Sequence, residues 1–211
     1  MTDAVPRAYR SELRARQAKE TRARIVAASA RLFATQGYQA TTIAAIARDA
    51  GVSAETVKAA AAKAELLIAA FEVTFSGSES AESLADTEVG AGVMELPDDV
   101  FLDAVLAQIT TANSRGHALW SVLLGAASSD RVVDEALRNI LEHRAADFRL
   151  LVSEFVRRGI ATDLIDPDAT ADVLSFLLSP ESYQQLVVQS GWTDERYGAW
   201  LRGAVLAELA H

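Results

Sequence analysis

Apolar residues recur every three or four positions along most of the chain, the period of helices that turn one face to a core. Ile25, Ala28, Leu32 and Phe33 form the first clear stripe. It predicts a helix that starts near Lys19 and stops at Gly37, where a left-handed residue can end it. Thr41-Thr42 opens a second, short helix with Ile43, Ile46 and Ala47 on its apolar face and Gly51 just past its end. Ser53 suits the N-cap of a third, because its hydroxyl can accept from the unpaired N–H groups of the first turn. Three short helices, the last two joined by Ala50-Gly51-Val52, have the shape of a helix-turn-helix. A fourth helix, near Ala64 to Thr74, carries Leu66, Leu67, Ala70 and Phe71.

Residues 76–99 hold most of the Gly and Ser of the middle region and no basic residue, and read as a mobile or partly helical connector. Helical periodicity then returns over Phe101 to Asn113, His117 to Ala126 and Arg131 to Arg158, with a stop at Gly159. Asp166-Pro167 and Ser179-Pro180-Glu181 each place a capping residue before proline at the first helical position. Thr193-Asp194-Glu195 caps the last helix and sets acids where the helix dipole favours them. Alternating strand patterns of useful length and internal repeats are absent, so the fold class is all-α.

Composition changes this picture in one respect. The 211 residues have a net charge of −9, unexpected for a partner of a polyanion. The average hides an asymmetry: residues 1–63 carry eleven Lys and Arg against five acids, a balance of +6, while the remaining 148 carry nine Arg against 24 acids, a balance of −15. A basic first third suggests nucleic acid, and the plainer reading is a solvated charge run. Cysteine is absent, which excludes disulfides and thiolate chemistry. With no apolar leader or membrane-length run, a cytoplasmic protein away from the membrane is expected.

Residues 37–53, GYQATTIAAIARDAGVS, with Thr56-Val57 after them, closely resemble the TetR family of repressors, and the likeness covers about residues 20–58. Residues 166–201 look like the C-terminal helices that pair across a two-fold axis in many such regulators. The resemblance implies a basic flexible arm (1–18), a helix-turn-helix DNA-binding domain (19–64) and a helical effector-binding and dimerisation domain (65–211). It implies a homodimeric repressor of palindromic operator DNA, released by a small-molecule effector. By position Thr42 and Thr56 touch phosphates, while Ala54, Glu55 and Lys58 face base edges. Ser53, Lys63, and Arg14 and Arg16 of the arm complete the expected DNA-contacting set.

This chain also departs from the family pattern, which continues Thr-Leu/Val-Tyr-x-x-Phe-x-x-Lys where it reads TVKAAAAKAELL. Lys58 replaces the tyrosine, alanine replaces the phenylalanine, and Lys63 fits the lysine only if the turn is one residue short. Loss of such a phenylalanine from a packed core costs on the order of 3–5 kcal/mol unless the space is refilled. Ala59 to Ala62 erase the boundary between the third and fourth helices, which leaves one continuous helix open. Lys58 can still neutralise a phosphate, whereas Ala54 and Ala59 offer no hydrogen bonds and Glu55 repels phosphate. A TetR-like ligand-binding protein whose DNA binding is degenerate and non-specific is therefore the second reading.

Phe101, Trp120, Leu123, Leu124, Phe148, Leu151 and Phe155 recur at helical intervals and serve either as bundle core or, through the resemblance, as walls of a pocket. The balance of −15 points to an apolar effector, neutral or cationic. Leu174, Leu177, Tyr183, Leu186, Val187, Trp200 and Leu201 are the expected dimer contacts, against ordinary packing within one chain. His117 and His143 lie 26 residues apart with no helical ligand pair, and read as structural or exposed rather than metal-binding. No cofactor is expected. A small all-helical enzyme is the distant alternative, since phosphate loops, a nucleophile elbow and His/Cys clusters are lacking.

Overall fold

The computed structural model describes residues 7–79, 83, 87, 90, 92–162 and 164–210, with side chains from Arg14 onward. Among them every regular element is helical: α1 (Arg7–Ala40), α2 (Ile43–Ala50), α3 (Ala54–Ala60), α4 (Lys63–Ser76), α5 (Asp98–Ala127), α6 (Arg131–Arg157), α7 (Pro167–Leu177), α8 (Pro180–Tyr183), a π-helical turn (Gln184–Gln189) and α9 (Asp194–Glu208). The expected all-α architecture is present.

The first helix begins at Arg7 rather than near Lys19, so the stretch expected to be a flexible arm is helical as far as it is described. Residues 7–24 contain neither Gly nor Pro and are rich in strong helix formers. Arg16 also lies 3.9 Å from Glu20 one turn on, a pairing worth a few tenths of a kcal/mol. The helix breaks at Gly37 (φ 78, ψ 173), a conformation that L side chains rarely adopt.

The alanine run does not fuse α3 with α4. Ala61 and Ala62 are both extended, and side chains from elsewhere supply the caps that the run itself lacks. Arg22 Nη1 on α1 donates to the Ala60 carbonyl (3.1 Å) at the end of α3. The Glu65 carboxylate accepts from the Ala62 N–H (2.7 Å) at the start of α4. Ala61, in the place of the expected phenylalanine, is buried in the same core as Val57 and Ala64.

Where two helices were read over 101–126, α5 is a single helix of 30 residues. Gly116 lies inside it because Phe75 of α4 rests on its bare Cα; a Cβ there would sit 2.8 Å from Phe75 Cδ2. This close approach offsets the roughly 1 kcal/mol that a mid-helix glycine costs. The later caps fall as the sequence indicates: Asp166, Ser179 and Thr193 each accept from an N–H of the following turn. The connector of residues 76–99 lies partly outside the described residues; α4 extends into it to Ser76 and α5 begins at Asp98.

Two apolar cores result. The first joins Ile25, Phe33, Ile46 and Val57 of α1–α3 to Leu66, Leu67 and Phe71 of α4 and to Leu119, Trp120, Leu123, Val133 and Leu137 of α5 and α6. The second gathers Phe101, Phe148, Phe155, Leu174, Tyr197 and Leu201 from α5–α7 and α9. Arg158 closes its edge. Its side chain is 3 % exposed and lies 3.9 Å over the Phe101 ring. It donates to the carbonyls of Met94 (2.6 Å) and Leu96 (2.7 Å) and pairs with Asp98 and Glu154.

Two consequences can be measured. Gly116→Ala should destabilise the protein by about 1–2 kcal/mol, because overpacking against Phe75 outweighs the gain in helix propensity; a raised urea midpoint would refute the close-approach account. Hydrogen bonds from Arg157, then Arg158, hold the Glu154 carboxyl at about 2. A carboxyl whose pKa is lower in the folded chain stabilises it above the ordinary carboxylate range and stops doing so as pH falls toward about 2. The stability gap between wild type and Glu154→Gln should therefore be full at pH 6 and narrow steadily below pH 4.5, read as denaturant midpoints at each pH.

Candidate nucleic-acid interface and ligand cavity

Two short helices present their N-termini through hydroxyl caps. Thr42 Oγ1 accepts from the Ala45 N–H at the start of α2 (3.1 Å), and Ser53 Oγ from the Thr56 N–H at the start of α3 (3.1 Å). Gly51, left-handed at φ 66, reverses the chain between them. Val57 is the buried foot of α3, and Ile46, Ala47 and Ala50 anchor α2. This leaves Ser53, Glu55, Thr56, Lys58 and Ala59 exposed together, with Thr42 exposed at the start of α2. Ala54, expected at base edges, is half-buried against the core. Arg14 and Arg16 are exposed on α1, within the helical part of the stretch expected to be an arm.

The charges on this face are unequal in their freedom. Lys58 is exposed in the last turn of α3. The Glu55 carboxyl is held below the usual range by its own backbone N–H and then by Ser53, so it is firmly a carboxylate at the start of the helix. Lys63 is partly withdrawn: its Nζ lies 4.5 Å over the Tyr38 ring and 3.4 Å from the Gln39 carbonyl, and burial lowers its pKa.

Polar bonds connect this unit to the helical body. Tyr38, just past the Gly37 break, donates to Asp130 Oδ2 (2.6 Å), the N-cap of α6. That bond holds the Asp130 carboxyl below its ordinary range. Arg22 donates to Glu79 just beyond α4 (2.6 Å) while it holds the Ala60 carbonyl of α3.

A cavity of about 310 Å³ lies among α4, α5 and α6, walled by Phe71, Phe75, Trp120, Ile140 and Phe148 with Glu72, His143, Arg144 and Asp147. A second, of about 120 Å³, adjoins it and includes Val93, Met94, Val105 and Leu151. Of the residues expected to form a pocket, Trp120 and Phe148 line the larger space, and Phe148 and Leu151 the smaller. The others do not. Phe101 and Phe155 fill each other's surroundings edge to face at 5.8 Å, Leu123 is core, and Leu124 faces solvent. Phe71 and Phe75 of α4, one turn apart and stacked at 5.4 Å, are walls the sequence reading missed; their i, i+4 spacing was the available signal.

The expected dimer contacts divide in the same way. Leu174, Tyr183 and Leu201 are buried within the chain itself, which removes them from its surface. Leu177, Leu186 and Val187 are half-buried, and Trp200 is exposed. The larger apolar surface on these helices comes from Phe176, 64 % exposed, with Val173 and Val188. His117 hydrogen-bonds Gln184 (2.6 Å). Among the described residues no group of three His, Cys, Asp or Glu could hold a metal ion, and no helix is long and apolar enough to cross a membrane.

Residues 25–70 match the sequence pattern of the bacterial regulatory proteins, tetR family. No curated protein sequence is significantly similar to the chain. Among solved structures, the fold is similar to a Pseudomonas aeruginosa PAO1 protein described as a transcriptional regulator, with TM-score 0.64, 18 % identity and 89 % of each chain covered. It is similar to a Rhodococcus sp. protein described as a TetR-family transcriptional regulator, with TM-score 0.60, 16 % identity, 90 % of this chain and 100 % of that one. It also resembles a linker-substituted HlyIIR protein, with TM-score 0.58, 15 % identity, 92 % of this chain and 97 % of that one. At these identities the structures speak for the fold, and the match over residues 25–70 speaks for the domain that α1–α4 build. Residues 25–70 thus carry the DNA-binding helix-turn-helix domain of the bacterial regulatory proteins, tetR family.

Proposed function

We propose that the protein is a repressor that binds a palindromic operator as a homodimer and is released by a small-molecule effector. The observation that carries this is the exposed face of α3, with Thr56 and Lys58 beside the hydroxyl-capped starts of α2 and α3. Capped helix starts suit phosphate contacts, and a recognition helix of this kind reads the major groove with its first turns. Residues 1–64 read DNA, and residues 65–211 dimerise and hold the effector. Two half-sites about one helical turn apart require a two-fold protein, and the apolar surface of Val173, Phe176 and Trp200 suits the seam.

Release follows from shared packing. Phe71 and Phe75 wall the cavity, while α4 starts three residues after α3 ends and packs on α1. A ligand that favours another position of α4 moves α3 with it, and only to the extent that it binds that position better. Ser78 lines the cavity beside Glu79, so the Glu79–Arg22–Ala60 contacts offer a second route to the end of α3.

The second reading, binding without sequence discrimination, draws on the same face: Ala59 offers no hydrogen bond there and Glu55 is a carboxylate. Selection from a random duplex library, then titration against scrambled DNA, decides between the two. A palindrome bound about a thousandfold more tightly is expected. Equal, steeply salt-dependent binding to both would overturn specific repression. Lys58→Ala should lower the salt slope by about one and weaken binding to every sequence, and Glu55→Gln should strengthen binding to scrambled DNA; both are read by fluorescence anisotropy at several salt concentrations.

A further inference from the structure

The walls of the larger cavity combine aromatic rings with unmet hydrogen-bond donors. Phe71 packs on both Phe75 and Trp120, with ring centres 5.4 and 5.3 Å apart. Trp120 is 2 % exposed, and its indole Nε1 is buried without a hydrogen-bond partner among the described residues. The same holds for Nη1 of Arg144. That guanidinium donates Nε to Ser175 Oγ (2.8 Å) and Nη2 to the Ser175 carbonyl (3.0 Å), whereas Nη1 lies 3.8 Å from Glu181, beyond hydrogen-bond reach. Burial lowers the Arg144 pKa, as expected of a cation short of partners. Its guanidinium carbon stands 5.8 Å from the centre of the Trp120 ring, so the two donors belong to one corner of the cavity wall. Both nitrogens can only donate. Ser78 Oγ, on the same cavity, is a further buried polar atom without a partner, and a hydroxyl can donate as well. Ionic groups of both signs line the space, Glu72 and Asp147 with Arg144, and His143 beside them. Hydrogen bonding, more than net charge, therefore discriminates among ligands here.

We infer that the larger cavity takes an aromatic molecule bearing an acceptor oxygen, a carbonyl or a carboxylate, that receives the Trp120 Nε1 and Arg144 Nη1 donors. The inference rests on the reading of this cavity as the effector site. A buried donor left unmet carries a desolvation penalty, so an oxygen that meets it relieves a cost the free protein already bears. Rings on the walls favour a ring in the ligand, which stacks or meets them edge to face. A volume of about 310 Å³ stands at the low end of small-molecule sites and suits a small ring system. Each nitrogen is covered in the free protein, so a small turn of its side chain toward the cavity accompanies binding. A hydrocarbon of the same shape fills the space and leaves both donors as they were.

The test uses the full-length protein and three probes on one ring system: 2-acetylnaphthalene, 2-naphthoate and 2-ethylnaphthalene, followed by equilibrium dialysis below their solubility limits. An oxygenated probe should bind more tightly than the hydrocarbon by about tenfold or more. The ketone in the lead identifies a neutral ligand, and the carboxylate in the lead an ionised one. Trp120→Phe keeps a ring and removes the N–H; Arg144→Met keeps the stem and removes the guanidinium. Each variant, checked for helicity and cooperative melting, should cut the advantage of the oxygen by about threefold or more and leave 2-ethylnaphthalene within about twofold. In the wild type, the infrared stretch of the bound probe's oxygen group should carry the shift of a hydrogen-bonded oxygen relative to an aprotic solvent, a readout that needs no variant. Hydrocarbon binding as tight as that of both oxygenated probes, an unshifted stretch, an advantage that survives both variants, or no binding by any probe would overturn the inference. Operator binding by the same preparation separates the two readings. Specific DNA binding without an oxygen preference sinks the ligand class alone, whereas oxygen-dependent binding that leaves DNA affinity unchanged upholds the ligand class and sinks effector release.

Discussion

The packing of α4 is the constraint on which the rest of this structure depends. Ala64, Leu66, Leu67, Ala69, Ala70 and Phe71 bury the helix on most of its circumference, against α1 on one side and α5 and α6 on the other. One apolar core therefore runs from Ile25 and Val57 to Trp120 and Leu137 without a break. The boundary expected at residue 64 from the sequence crosses the middle of that core. Interiors packed to crystal-like density do not deform continuously. On the proposed reading, a change on the cavity side of α4 reaches the α1 side through this shared packing.

The features legible in the sequence were those whose cause is local. Thr42, Ser53, Asp166 and Thr193 cap helices with their own side chains, and Gly37 and Gly51 take positive φ where the chain must turn. The features that were not legible have distant causes. The break at Ala61-Ala62 depends on Arg22, 38 residues before the carbonyl it holds. The continuity of α5 through Gly116 depends on Phe75 of another helix. Periodicity identified Phe101, Phe155, Leu174 and Leu201 as apolar and inward-facing, but it does not say which inward faces meet a neighbour and which meet a void. That depends on how helices cross, so walls and core were confused in both the pocket and the dimer sets.

The polar contacts across the first core are few and placed at ends: Tyr38 on the cap of α6, and Arg22 between the end of α3 and the segment after α4. Bonds at helix ends constrain orientation more than they add stability, since a net hydrogen bond contributes only about 1 kcal/mol. The apolar packing fixes that α4 is held, and these bonds fix the angle at which α3 leaves it.

On the proposed reading, Glu55 gives α3 a property that affinity alone does not describe. A fixed carboxylate at its N-terminus would oppose every phosphate backbone equally, and would be repaid only at a site where it could accept from the amino group of a cytosine. On the proposed reading its main effect falls on the wrong sequences, where it shortens the time the protein stays bound. Repulsion of this kind separates partners as effectively as attraction does. A helix face with few donors can then search quickly along a genome, because each incorrect site lets it go.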